Sequence, residues 1–293
     1  MADSWHWYST ETGDAVTDPI EVDGRMMDPG MRAARKGAPI VPSVTSILGE
    51  LGVPRFLMTW ASKLSLEQAV DTPPRPGETV EEYVYRVWPL AEARQKRGAD
   101  IGTRVHAAIE THIQQGGISR MDTDIAPIVA PMFAWLGQHV SRVLASERSF
   151  ATHVYGGRYD LLAVIDGVLS LVDFKTQGAK KLRAYDSWGE QLVAYLDGDS
   201  WRILADGAQC YPPVTKRAGV QLVNVIIPTR EPGPPVIHVW KRVDVLRRLW
   251  QAKLRYFQLS QNWWPTPPDR AAEQEKALTE TTGMTADERA LLG

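Results

Sequence analysis

A single cysteine, Cys210, is all that 293 residues contain. That excludes an internal disulfide framework, a cysteine-ligated zinc site and an iron–sulfur cluster held by four thiolates. A long apolar run is also missing: none approaches the roughly 20 residues needed to cross a bilayer, so no membrane is expected as a partner. Nor does either sign of charge dominate. Lys and Arg number 33 against 35 Asp and Glu, a formal net charge of −2, so any contact with nucleic acid has to come from a local basic patch. The first thirty residues carry Asp3, Glu11, Asp14 and Asp18, unlike a signal or transit peptide, and a reducing cytoplasm is the expected compartment. No internal repeat is visible.

What the chain does have is a sharply defined stretch from Gly157 to Thr176. Asp166-Gly167 separates two β-rich runs, RYDLLAVI and VLSLVDFK, and such a dipeptide signals a two-residue hairpin. With Ile165 opposite Val168, counting outward sets Asp160 directly against Asp173. Directly opposed residues share a face of the sheet, with Cβ atoms roughly 4.5–5.5 Å apart. Alternation adds Lys175 to that face. Two carboxylates and an ammonium at one spot point to a cation between the acids, and an all-oxygen site suits Mg²⁺ or Mn²⁺.

Upstream, residues 1–40 read as an arm or short hairpin in which Trp5, Trp7 and Tyr8 pack against the body. Ser43 is placed to cap a helix from about Val44 to Leu51. A second helix covers about Arg55–Ala69, with Phe56, Leu57, Trp60 and Leu64 at core spacing. Val80–Leu90 is helical and leads into a helix to Gln115, whose stripe is Ile101, Val105, Ala108, Ile109 and Ile113. His112 falls within that stripe, as a packed residue. His106 falls at its rim, and Gly102 one turn earlier leaves room for an ion or a phosphate. Arg94, Lys96, Arg97 and Arg104 make the first half of this helix basic, as a solvated face or as a patch for a phosphate backbone.

The periodicity then predicts a helix over 124–146, with Glu147 just before a strand that reaches Tyr155 and pairs with the hairpin. Lys180, Lys181 and Arg183 follow the hairpin. A helix over about Ser187–Asp197 places Gln191 and Tyr195 four apart on one face. Strands at about 220–227 and 236–242, a helix over about 243–261 and a mobile acidic tail from Asp269 complete the expectation.

A helix histidine, a glutamate before a strand, an aspartate, then Asp-Phe-Lys, then Gln-x-x-x-Tyr: this order resembles the PD-(D/E)xK nuclease superfamily, in its RecB-type and Cas4-like exonuclease branch. The likeness spans roughly residues 41–200. It implies an α/β (α+β) restriction-endonuclease-like core, a central mixed sheet flanked by helices with an N-terminal helical extension, in a single domain over 41–268. It also implies that Asp160, Asp173, His106 and the Phe174 carbonyl hold Mg²⁺ or Mn²⁺, while Lys175 orients and deprotonates the attacking water. Glu147 is then an outer or second-metal carboxylate. Gln191 and Tyr195 contact DNA or brace Lys175, and Arg97, Arg104, Arg158, Lys180, Lys181 and Arg183 contact the backbone. The implied partner is DNA, as single strands or duplex ends, together with a recombination or replication protein in a bacterial or phage-infected cell. The implied reaction is exonucleolytic hydrolysis. A non-catalytic DNA-end-binding module and a restriction-type endonuclease stay open beside it.

Overall fold

In the computed structural model the described residues are 6–50, 55–116, 121–198 and 219–263. Cys210, the tail from Asp269 and the side chains of Phe56, Leu57 and Trp60 lie outside what is described.

The centre is a five-stranded mixed sheet of β6 (Val140–Ala151), β7 (Gly156–Ile165), β8 (Val168–Gln177), β9 (Gln221–Pro228) and β10 (Val236–Val239), in the order β10-β9-β8-β7-β6. The β7–β8 hairpin has the expected register, from Ile165↔Val168 to Leu161↔Val172. Its turn residues Asp166 and Gly167 have φ of 47° and 81°. Positive φ at both positions gives the twist that matches the flanking strands. β8 pairs in parallel with β9, and the crossover between them includes α6 (Asp186–Gly198).

Both faces of the sheet are covered, which explains why β8 and β9 read as near-continuous apolar runs. On one face lie α6, α2 (Val44–Glu50) and α7 (Val243–Ser260), and the core there includes Ile47, Phe150, Tyr159, Leu162, Leu171, Leu192 and Trp250. On the other lie the second half of α4 (Val80–Gln115) and α5 (Ala126–His139), enclosing Val105, Ile109, Val129, Met132, Leu161, Val172, Phe174 and Val225. Each fully buried side chain of this size contributes about 1.5–3 kcal/mol.

Several boundaries depart from the sequence pattern. The helix expected over 124–146 ends at His139, and Val140, Val143 and Leu144 belong to β6. Their spacing imitates a helical stripe. The long pairing with β7, through two register shifts, outweighs that local preference. The two helical segments before Gln115 form one helix of 36 residues that runs through Pro89 and starts from a capping box made by Thr79 and Glu82. The N-terminal segment is built into the body: β1 (Trp7–Ser9) pairs with β5 (Ile40–Pro42), and Trp7 and Tyr8 are buried. Ser43 caps α2 as expected, accepting from the Ser46 amide at 3.0 Å. His112 is a packed residue, stacked on Phe133 at 4.0 Å. Among the described residues no helix is long and apolar enough to cross a membrane.

Candidate metal and nuclease site

The site forms where the β7–β8 ladder opens. Pairing proceeds regularly to Leu161↔Val172. Alternation of hydrogen-bonded pairs would next join the Phe174 amide to the Tyr159 carbonyl. Instead Phe174 N–H donates to Asp160 Oδ2 at 2.6 Å, so a carboxylate takes the place of the strand. Asp160 thereby leaves strict alternation. It lines a cleft of about 450 Å³ against α4, together with Gly102, His106, Glu110, Glu147 and Arg158.

Asp173 faces the other way, toward α6. Its carboxylate accepts from Lys175 Nζ at 2.9–3.0 Å, and Lys175 Nζ also donates to Gln191 Oε1 at 3.0 Å. Gln191 Nε2 donates to the Tyr195 hydroxyl. The ammonium lies 5.8 Å from the Trp188 ring centre, within cation–π range. The expected face sharing of Asp160 and Asp173 is therefore replaced by a split. Each acid has its own partner across the opened pair of strands, Asp160 the Phe174 amide and Asp173 the Lys175 ammonium. They still sense each other: burial first, then the Asp173 charge, pushes the Asp160 carboxyl well above the usual carboxylate range.

The cleft side is electrostatically strained throughout. His106 Nδ1 is 3.7 Å from Asp160 Oδ2, beyond hydrogen-bonding distance. Burial lowers the pKa of its imidazole, favouring the neutral form that can ligate a metal. Glu147 is inside β6 rather than ahead of it, between the pairs Ser146↔Leu161 and Arg148↔Tyr159, and so stands across from Asp160. Its φ of 50° is left-handed, a conformation that costs on the order of 1–3 kcal/mol outside glycine. Burial raises its pKa to about 7, outweighing the Arg158 guanidinium whose Nε lies 3.0 Å away, and repulsion from Glu110 and Asp173 adds to the rise. The space foreseen beside Gly102 is partly taken by β8: a β-carbon there would meet Thr176 Oγ1 at 2.9 Å.

The basic residues separate into engaged and exposed groups. Arg104 is held by Asp122 and Asp124, and Arg94 by Glu67 and Asp71, so neither is an unencumbered phosphate contact. Arg97 is exposed on α4, one residue before the cleft begins at Gly98. Arg158 is 55% exposed despite its bond to Glu147. Lys180, Lys181 and Arg183 are exposed on a turn that Gln177 closes: its Oε1 accepts from the Arg183 amide at 3.1 Å and its Nε2 donates to the Arg183 carbonyl at 2.9 Å.

For a divalent ion the donors fit in kind, with two buried carboxylates whose repulsion a cation would relieve and a neutral imidazole beside one of them. Among the described residues, no three His, Cys, Asp or Glu side chains already close around one point. Sequence reasoning missed Asn224 and Glu110. The first is the one amide inside the apolar run LVNVII, and the second lies four residues after His106, on the same helix face. No family model matches this chain, and no curated protein matches it at a significant level.

Proposed function

We propose that this chain is a divalent-metal-dependent deoxyribonuclease of the PD-(D/E)xK type, hydrolysing phosphodiester bonds at DNA ends or in single strands. The observation that carries the reading is the placement of Lys175. Its ammonium is held by Asp173 and Gln191, two residues along the strand from Asp173 and next to Phe174, whose amide is bound by Asp160.

Asp160, Asp173 and His106, with the Phe174 carbonyl, would hold Mg²⁺ or Mn²⁺. When bound, the ion would stabilise charge on the phosphate and make its water more acidic. Lys175 in its neutral amine form would orient the attacking water and receive its proton, while Gln191 and Tyr195 keep the side chain from swinging away. The water oxygen bonds to phosphorus, the P–O3′ bond breaks, and the proton passes to the leaving oxygen, giving a 5′-phosphate and a 3′-hydroxyl. Arg158, Arg97 and the Lys180–Lys181–Arg183 turn would hold the flanking phosphates.

A non-catalytic DNA-end-binding module is favoured by one observation: Asp173 is already occupied by Lys175 and Asn224. Incubating 5′- and 3′-end-labelled single strands and duplexes with the protein in Mg²⁺, Mn²⁺ or EDTA separates the two. Cleavage that requires the metal supports the nuclease. Binding to the labelled strands without cleavage in either metal supports the module.

A further inference from the structure

Asp173 has a partner that the chemistry above does not use. Asn224 lies opposite it in the parallel β8–β9 pairing and is wholly buried, between Val223 and Val225 in the core. A polar side chain in that position is costly unless satisfied, and here both ends of the amide are engaged. Asn224 Nδ2 donates to Asp173 Oδ2 at 2.7 Å and to the Asp173 carbonyl at 3.2 Å. Asn224 Oδ1 accepts from Trp240 Nε1 at 2.8 Å.

The orientation of this amide is dictated by chemistry. An indole N–H can only donate, so Trp240 must face the amide oxygen, and the amino group is thereby turned to the carboxylate. Trp240 is itself pinned. Its backbone amide donates to the Leu222 carbonyl at 3.0 Å. Its ring lies so close to α6 that a β-carbon on Gly189 would come within 2.8 Å of it. Since α6 carries Gln191 and Tyr195, an unbroken hydrogen-bonded path runs from Trp240 through Asn224, Asp173, Lys175 and Gln191 to Tyr195.

We propose that Asn224, oriented by Trp240, is a positioning residue that fixes the rotamer of Asp173 and so the direction in which the Asp173–Lys175 pair addresses the site. This rests on the nuclease reading, and the carboxylate it positions is one of the two proposed to hold the ion. Groups that orient a metal-binding side chain are typically worth about tenfold or more in metal affinity.

The decisive variants are Trp240→Phe, which keeps most of the ring and removes the N–H, and Asn224→Ala. Calorimetric titration with Mn²⁺ is expected to show about tenfold weaker binding for each. The double variant should bind no more weakly than Asn224→Ala, because both act along one path. The Mn²⁺ concentration for half-maximal cleavage should shift in parallel. In the metal-free protein, ¹H–¹⁵N spectra should show slowly exchanging Asn224 side-chain amide protons that move and exchange faster in Trp240→Phe. Unchanged Mn²⁺ affinity in Trp240→Phe, with only a lower melting temperature, overturns the proposal and leaves the path a packing feature. Unchanged Asn224 amide signals in that variant overturn it as well. Should Asn224→Ala fail to fold, Trp240→Phe alone decides. A wild-type protein that neither binds Mn²⁺ nor cleaves DNA sinks the nuclease reading instead, a result told apart by its appearing before any substitution.

Discussion

The two halves of the candidate site are built on different principles. On the α6 side, Asp173, Lys175, Gln191, Tyr195 and Asn224 are linked donor to acceptor in a low-dielectric core. On the α4 side, Asp160, His106, Glu147 and Glu110 line an open cleft, where burial and neighbouring acids raise the pKa values of Asp160 and Glu147, burial lowers that of His106, and Arg158 is the nearby cation. A saturated network holds a group rigidly and sets its direction before any visitor arrives. A cluster of buried acids that favours the protonated state gains a great deal from one that is positively charged. The contrast assigns rigidity to the lysine side and ligand entry to the histidine side.

The largest expected effect breaks the rigid half. Lys175→Ala should lower cleavage by ~10²–10⁴-fold, the usual worth of a positioned proton-transfer group, with an unchanged circular dichroism spectrum. Asp173→Ala should do the same and also cost about 1–3 kcal/mol of stability, because Asn224 is left with a buried, unpaired donor. Cleavage at the wild-type rate in either variant would remove the nuclease assignment.

Next, Tyr195→Phe deprives the buried Gln191 Nε2 of its acceptor. A loss of about 1–3 kcal/mol in urea-induced unfolding is expected. A neutral result would mean that the network is not saturated and the comparison fails.

The open half should reveal itself through pH. Glu147 has a folded pKa of about 7 against an ordinary 4.5. Between those values the folded protein keeps a proton that the unfolded chain has released. Its contribution to stability is fully present below about pH 4.5 and is lost as the pH rises through about 7. Melting temperatures in EDTA should therefore fall across that window, and Glu147→Gln should make the fall shallower, Asp160 supplying the remainder. An identical profile in the variant would place the titration elsewhere.

The smallest effect tests how tightly α4 sits against β8. Gly102→Ala gains up to ~1 kcal/mol of helix propensity and meets Thr176 Oγ1. The net change should stay within about 0.5 kcal/mol, while in a Thr176→Ala background the gain of about 1 kcal/mol should emerge.

Much of this was legible locally. The Asp-Gly turn, the hairpin register down to Leu161↔Val172, the cap at Ser43, the packed His112 and the spacing of Gln191 and Tyr195 all follow from a few adjacent residues. The end of α5 was not, because Val140, Val143 and Leu144 suit a helix and a strand equally until β7 is there to pair with.

By itself, then, the sequence determined which chemistry-bearing residues lie on neighbouring strands and helices, since turn type and periodicity are properties of short segments. Only the tertiary structure decided that Asp160 turns to α4 and Asp173 to α6, that Arg104 is occupied by Asp122 and Asp124, and that Asn224 and Trp240 stand behind Asp173. Those outcomes depend on where the ladder opens and on which distant segments compete for the same hydrogen bonds, and no local pattern encodes that competition.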